Sequence, residues 1–596
     1  MTEAAQDQRA KLPGFGFPVN QEPNWWYEGS HHDGPVTMTR LPNAISDWAA
    51  DCMTVRERSM LAMVNQITDK PEWARKVFDE EIVAKWRTEA LTDEGHGFSS
   101  KMFDHCIAEL RDKAKVYDES GIIPILEGDV AVVKSDSIIP HDLKVELQSA
   151  IKPLENIPDR LKDWHPGSNE QVLDLVHPSL FPLLYGRSRI LPEGTVGLLN
   201  CVESCGKGEV IPEPKEDDVK VLHLNASLRG RSLDKERFWS RKFQWLPCEV
   251  VLGENGKVQI ASYINNLHPV HHEGLYKVIE KFIAKSIAPW STVFNSIRIG
   301  SCQRVPMEET VYEFPQGESR PRDEDESSDD PDAYERDEQW LHDTRVLVEP
   351  DAVAYNSLDK TPNVKMDFKE FSKIQVIVKL ATIHLTPEKP AYAGGSWHIE
   401  GQLNEHIAAT ALYYLDNSNI TDSHLAFRQK VTIDEDINLK TYNQSDYDGV
   451  EYAYDIEQEG PGIQDLGQVL TREGRLLVFP NVLQHQVQPF KLVDETRPGH
   501  RKMLALFLID PYQRIISTAN VPPQQKDWWA ELVRDETRVG DLPAELQNFI
   551  VDDVTDFPIS MEEAKKVREE LMEERRAFVD EVNEEYESEE FSFCEH

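Results

Sequence analysis

From Gly394 to Pro511 the chain alternates β-prone runs with tight turns, and residues able to bind a metal stand at the ends of those runs. The stretch contains, in order, GGSWHIEG, NEHIAATALYYLD, GRLLVFPNVLQHQVQPF and GHRKMLALFLIDP. His398 and Glu400 are two residues apart, and on an extended backbone such side chains share a face. His485 follows the apolar run GRLLVFP, and Arg501 opens the next run sixteen residues later. Two imidazoles and one carboxylate can occupy one face of an octahedral ion and leave the other positions open, an arrangement suited to Fe(II) with a co-substrate and O2. Arg501 adds a permanent planar cation matched to a carboxylate.

The periodicity around this stretch sets the expected fold. FSKIQVIVKLATIHLTP, HIAATALYYL, LAFRQKVTI, GRLLVFP, HQVQPFKLV and RKMLALFLID are β-branched or alternating runs separated by turn chemistry, which predicts strands. Strands of this kind with ligands at their ends predict a double-stranded β-helix, that is, a jelly-roll or cupin-like core. Upstream, AISDWAADCMTVRERSMLAMVNQITD, PEWARKVFDEEIVAKWRTEAL and SSKMFDHCIAELRDKAKVYDESG have helical spacing, the last stopping at Gly121. A short strand pair is expected over GIIPILEGDVAVVKSDSIIP, a helix from about His141, a hairpin turning at Glu254-Asn255-Gly256, and a long amphipathic helix after His272.

The expected class is therefore α+β, a β-helix core with a large, mainly helical N-terminal region. Residues 1–40 form an extended arm anchored by Trp25, Trp26 and Tyr27, 41–205 the helical region, and 206–316 an α/β segment packed on the core. Residues 317–340 are an acidic, mobile insertion, 341–525 the core and 526–596 a helical acidic tail that lies on the surface or docks. A tyrosine-rich insertion from Asp434 to Gly462 has the composition of a lid.

Charge narrows the partners. A formal net charge of −42 over 596 residues disfavours nucleic acid and anionic membrane, both of which repel such a chain at long range. No apolar run reaches the ~18 residues of a spanning helix, and the N-terminal MTEAAQDQRAKLPGFGFP lacks a signal-peptide core. The expected compartment is the cytoplasm, with the nucleus open, and the expected partner is a small-molecule substrate; oligomeric state is left open. Seven scattered cysteines make no disulfide framework, and the close pair Cys201 and Cys205 has no second pair to complete a zinc site.

GGSWHIEGQLNEHIAATALYYLDNSNITDSHLAFR, SYINNLHP, and GRLLVFPNVLQHQVQPF with GHRKMLALFLIDP together resemble a fungal family named domain of unknown function 4246, whose C-terminal part looks like an iron(II)/2-oxoglutarate oxygenase. The resemblance runs from PNWWYEG to DWW and implies a fold and a reaction class without a substrate. It implies that His398, Glu400 and His485 hold Fe(II), and that Arg501 pairs with the distal carboxylate of 2-oxoglutarate, which is converted to succinate and CO2 as the substrate is hydroxylated. Two positions depart from the commonest pattern of such oxygenases. The carboxylate is Glu rather than Asp, and Met503 stands where many have a hydroxyl residue. Tyr414, Thr410 and Ser396 are the candidate substitutes, Tyr414 first.

Other residues have a structural and a functional reading. His406 is a strand or cap histidine, or an extra ligand in a site that does not use 2-oxoglutarate. Arg428 is part of an ion pair, or contacts a carboxylate; Trp397 is a wall of the site; His424 and His500 are loop residues. His268, His271 and His272 suit a helix entry, and His31-His32 an exposed arm. The resemblance alone suggests that His268, Asn265 and Asn266 line the pocket. The alternatives to a small-molecule oxygenase are a protein-directed hydroxylase or demethylase of the same chemistry, and a non-catalytic jelly-roll interaction protein.

Overall fold

A computed structural model describes residues 12–13, 16–17, 41–45, 48–92, 97–191, 193–214, 238–297, 303–321, 332–356, 366–432, 446–535, 537–554, 556–588 and 590–591. The anchors Trp25, Trp26 and Tyr27, the pair His31-His32, and residues 434–445 of the expected lid lie outside them.

The strands that matter are, in chain order, β1 (Ile123–Ile125), β2 (Val132–Ser135), β3 (Val172–Val176), β4 (Cys248–Leu252), β5 (Val258–Ile260), β6 (Lys373–Leu385), β7 (Ile407–Ser418), β8 (His424–Lys430), β9 (Ile463–Leu470), β10 (Leu476–Pro480), β11 (Gln484–Val487) and β12 (Gly499–Ile509). Nine form one sheet, ordered β5-β4-β6-β12-β7-β10-β2-β1, with β3 pairing alongside β6. A second sheet has the order β9-β8-β11. All these pairings are antiparallel, so the protein is of mixed helix and antiparallel-sheet class.

The central strand β6 reads KIQVIVKLATIHL and is buried along nearly its whole length. Apolar side chains on both faces need cover on both sides of the sheet. One cover is the helix Glu273–Phe294, which buries Leu275, Ile279, Phe282, Ile283 and Trp290 and sets Phe282 5.0 Å from Tyr413 of β7. The expected strand pair, the helix His141–Glu155 and the hairpin at Glu254-Asn255-Gly256 are all present. Further helices cover Val55–Ile67, capped by Thr54, and Ser100–Ser120, capped by Ser99 and ended by Gly121.

The structure adds to three readings. The mainly helical region 41–205 also supplies β1, β2 and β3, which complete the main sheet. Short strands with one apolar face need neighbours, and β6 and β10 supply them. The acidic segment 317–340 is helical in its last part, within Ala333–Thr344. Strand β9, IQDLGQVL, went unread because its polar residues interrupt the apolar alternation, yet it pairs with β8 over seven residues.

The charged C-terminal helix Met561–Ser588 docks on its own chain. It buries Ala564, Arg568, Leu571, Phe578, Val582 and Tyr586, a stripe recurring at three and four residues. Arg575 pairs with Glu405 and lies 3.8 Å over the ring of Trp245, which itself stacks on Phe507 of β12. Glu405 also accepts the backbone N–H groups of Trp245 at 2.6 Å and Gln402 at 2.9 Å. Among the described residues no helix is long and apolar enough to cross a membrane.

Substituting Arg575→Met leaves the Glu405 carboxylate buried without its cation. The expected cost is about 3–5 kcal/mol, read as a lower urea midpoint in the fluorescence of Trp245 than in the parent chain. An unchanged midpoint would show that the helix does not anchor there.

Candidate metal centre

His398 and His485 form an antiparallel bridge. The His398 N–H donates to the His485 carbonyl at 3.2 Å, and the His485 N–H donates back at 3.0 Å. Residues paired in this way stand directly opposite and send their side chains to one face. The two imidazole centroids are accordingly 4.3 Å apart, and the His485 ring lies 4.8 Å from Phe479 of the main sheet. Two residues beyond His398, Glu400 Oε1 stands 3.9 Å from His398 Nε2 and 3.5 Å from His485 Nε2. One donor atom from each of the three lies within 4.8 Å of the other two. Bonds of ~2.1 Å to a shared ion require only a small inward movement.

The backbone around this group is held on both flanks. Asn481 accepts the Glu400 N–H at 2.8 Å and donates to the carbonyls of Glu400 at 2.8 Å and Ile407 at 3.0 Å. Next to Glu400, Gly401 has φ +71°, and a Cβ there would stand 2.6 Å from Glu405 Oε2 and 2.8 Å from Ile407 Cδ1. Only glycine permits that turn. On the other flank Asn583 of the C-terminal helix donates to the Trp397 carbonyl at 3.2 Å and accepts from Gln484 at 3.0 Å. Those are the residues immediately before His398 and His485, so one side chain links both ligand-bearing segments.

Protonation suits a cation. His398 Nδ1 lies 2.8 Å from the Ser396 carbonyl, which can only accept, so the proton sits on Nδ1 and the Nε2 lone pair is bare. Burial, then the neighbouring His485, pushes His398 down to about 4. Burial alone would raise the Glu400 carboxyl, but the hydrogen bond from His485 and the charges of His398, His485 and Lys379 outweigh it and hold it at about 2. A neutral His398 and an ionised Glu400 are the forms that bind a divalent metal.

Three other groupings of metal-binding residue types occur among the described residues. In His165, Asp174 and His177, the Nδ1 of His177 accepts the Ser179 N–H at 3.1 Å, so the neutral ring carries its proton on Nε2. His165 and Asp174 are already hydrogen-bonded at 2.8 Å. In His268, His271 and Glu531, His268 Nδ1 likewise accepts from Val270 at 3.2 Å and His271 at 3.3 Å. In the exposed set His342, Asp446 and Asp448, both carboxylates pair with Arg345. The His398 group combines a free imidazole lone pair on His398 with a carboxylate that meets no lysine or arginine within ion-pair distance among the described residues, its contacts being with His398 and His485.

Arg501 opens β12 at 1% exposure. Its guanidinium donates to Ser423 Oγ at 2.8 Å and lies 4.8 Å over Tyr414 and 5.4 Å over Phe490. Burial lowers its pKa, though an arginine keeps its charge in any protein site. No carboxylate pairs with it among the described residues, and its Nε is buried without a partner. An isolated buried cation is costly, and the fork is therefore available to an anion. Tyr414, ranked first to supply the missing hydroxyl, contributes its ring instead, and its own hydroxyl is buried without a partner. The hydroxyl on Arg501 comes from Ser423, which exchanges hydrogen bonds with Thr471. Thr410 faces Phe507 and Phe479 across the sheet, and Ser396 acts through its carbonyl on His398.

His406 stands outside the ligand group; it ends a turn at φ +48° and packs edge-on against Trp239. Asn265 and Asn266 hold the carbonyls of His177, Leu180 and Phe181, and His268 faces Glu531, so the three do not join the His398 group. Arg428 makes no ion pair among the described residues; it bonds Gln484 and Asn583 and lies 4.8 Å over Trp397. His500 pairs with Asp416, and Cys201 and Cys205 are free buried thiols. Asn481, Ser423 and Asn583 were not singled out from the sequence. Asn481 directly follows the run GRLLVFP and Ser423 directly precedes a strand, which is a weak signal, and Asn583 has none.

These features define a mixed helix and antiparallel-sheet protein with a two-histidine, one-carboxylate group and a buried arginine on the main sheet. The chain belongs to the family described as Protein of unknown function (DUF4246), whose model matches residues 100–532, and the associated N-terminal domain of unknown function matches residues 12–89. No curated protein matches it. Among solved structures it is similar to an Fe(II)/(alpha)ketoglutarate-dependent dioxygenase, TqaL, at 16% identity over 23% of this chain and 42% of that one, with a TM-score of 0.15. IDO from Bacillus thuringiensis matches at 13% identity over 24% and 48%, TM-score 0.15. EvdO2 from Micromonospora carbonacea var. aurantiaca, complexed with 2-oxoglutarate, matches at 11% over 23% and 53%, TM-score 0.12. The chain thus spans about half the length of each, and nothing below rests on these local likenesses.

His398→Ala and Glu400→Ala are expected to abolish binding of one divalent ion per chain in equilibrium dialysis, with folding retained. Asn583→Ala, which touches no ligand side chain, is expected to weaken that binding by roughly 10–100-fold.

Proposed function

We propose that this chain is a non-haem Fe(II)/2-oxoglutarate-dependent oxygenase that hydroxylates a small organic substrate, with decarboxylation of 2-oxoglutarate to succinate. The observation that carries the reading is the combination of a convergent His398, Glu400 and His485 with a buried guanidinium that has no carboxylate partner among the described residues. The strand orders support a double-stranded β-helix: β6-β12-β7-β10 within the main sheet faces β9-β8-β11, extended at β11 by the bridge to His398.

His398, Glu400 and His485 would hold Fe(II), which together with 2-oxoglutarate and O2 supplies the oxidising chemistry. Three protein ligands leave the remaining positions to co-substrate and O2. Arg501 would take the distal carboxylate of 2-oxoglutarate in a two-pronged hydrogen bond, with Ser423 fixing one nitrogen and the Tyr414 ring supporting the guanidinium plane. Ser396 keeps the His398 proton on Nδ1, so the ring presents the same atom to the metal throughout. Trp397, braced by Arg428, screens the outer side of the first histidine. The Ser423 hydroxyl answers the departure at Met503, since it reaches Arg501 from another strand.

Anaerobic titration of the metal-free protein with Fe(II) and then 2-oxoglutarate tests this. A weak visible charge-transfer band is expected only with both present. Arg501→Met is expected to leave iron content unchanged and weaken 2-oxoglutarate by about 2–5 kcal/mol, roughly 30-fold or more. Full iron loading with no band at saturating 2-oxoglutarate would overturn the co-substrate, and failure to bind iron would return the fold to a binding scaffold.

A further inference from the structure

The same interior carries a second cation that this reading leaves unused. Lys379 lies in the middle of β6, opposite Ala505 of β12, and four residues from Ile383, which stands opposite Arg501. Opposed residues of an antiparallel pair share a face, and the face repeats every second residue. Lys379 and Arg501 therefore project to the same side, separated by roughly 13 Å along the strands. Ala505 is in turn opposite Leu412 of β7, and the next row holds Phe507, Thr410 and Phe479, the last packed on His485. Lys379 is thus near the metal-binding end of the interior and Arg501 farther along it. The charge of Lys379 acts on both His398 and Glu400. It acts as well on Asp174 and His177, on strand β3 and just beyond it.

Lys379 is half-buried and makes no hydrogen bond or ion pair with a described residue. Among the described residues two buried lysines sit in ion pairs, Lys113 with Glu127 at 2.6 Å and Lys134 with Asp69 at 2.7 Å, and a third, Lys430, lies 5.8 Å over the Tyr586 ring. Asp174 feels the Lys379 charge but makes no ion pair with it; it is hydrogen-bonded to His165 at 2.8 Å and has Arg568 3.7 Å away. His177, buried and with its Nδ1 accepting from Ser179, has only an N–H left to offer. An ammonium held in no hydrogen bond or ion pair by a described residue, with a donor imidazole nearby, is a receptor for an anion.

We propose that Lys379 binds a carboxylate of the primary substrate, so that this site oxidises small organic acids, amino acids included. The inference rests on the oxygenase reading. It gives the two interior cations separate tasks, Arg501 holding the co-substrate and Lys379 the molecule to be oxidised. Fixing the acid group at Lys379 presents carbons a few bonds away to the metal, which sets both substrate class and site of oxidation.

The probe is 13C-labelled acetate, used with the full chain loaded with Mn(II) and 2-oxoglutarate. Binding is read from the paramagnetic relaxation of the acetate carboxyl carbon, and separately, without metal, by saturation transfer from protein to acetate. In the parent protein both signals are expected. Lys379→Met should weaken acetate by about tenfold or more, Lys379→Arg should retain most of it, and neither should change the affinity for Mn(II) or 2-oxoglutarate. Equal acetate binding in the parent and Lys379→Met overturns the proposal. So does a parallel loss of 2-oxoglutarate affinity in Lys379→Met, which would assign the lysine to the co-substrate. If the parent binds neither Mn(II) nor 2-oxoglutarate, the oxygenase reading fails by itself. The metal-free saturation-transfer comparison then still decides whether Lys379 is an anion site.

Discussion

Two reciprocal backbone hydrogen bonds between His398 and His485 organise the functional end of this molecule. They join residues 87 positions apart in the chain, and because directly opposed residues share a face, they turn two separate histidines into neighbours. Everything close by preserves that pairing. Asn481 holds the backbone of Glu400, Gly401 turns the chain away where a side chain would collide with Glu405, and Asn583 spans the residues that precede both histidines. None of these supplies a ligand atom; each fixes where ligand atoms stand. A site of this kind depends on its supports because misplacing a donor by an ångström changes whether three groups can meet one ion.

The second organising fact is electrostatic. A chain this acidic has carboxylates to spare, and most of its buried cations use them. Arg304 meets Glu57 and Glu109, Arg475 meets Asp69 and Asp136, and Arg568 meets Asp163. These networks tie the N-terminal helices, the main sheet and the C-terminal helix into one body. Arg501, Lys379 and Arg428 make no ion pair among the described residues, and the first two project from one face of the main sheet. Burial makes an unpaired cation expensive and therefore makes an incoming anion effective. The contrast within one molecule is between cations compensated in the scaffold and cations that make no ion pair among the described residues.

The C-terminal helix shows how the two facts join. Its arginines are tethered to carboxylates of the core and the loop before β3, while its Asn583 reaches the ligand strands. It lies beyond residue 532, where the family match ends. A segment that looks like a charged tail is thereby part of the frame around the candidate metal centre.

Much of this was legible in the residues themselves. Alternation marks strands, spacing marks helices, Asn-Gly marks a hairpin, and the two-residue step from His398 to Glu400 marks a ligand pair, because each pattern follows from the geometry of a few neighbouring residues. Strand β9 was hidden by its polar residues, and the strands within residues 41–205 gave no hint that they complete a sheet begun two hundred residues later. Which hydroxyl reaches Arg501 was also beyond local pattern: Tyr414 shares its neighbourhood, but Ser423, at the start of another strand, makes the bond. The sequence by itself determined the element types and the inventory of metal-binding and cationic side chains. Only the tertiary structure decided which histidines and carboxylates meet in one group, which ring nitrogens keep a lone pair and which cations make no ion pair among the described residues, because tautomer and charge compensation depend on groups brought close by folding and not on neighbours along the chain.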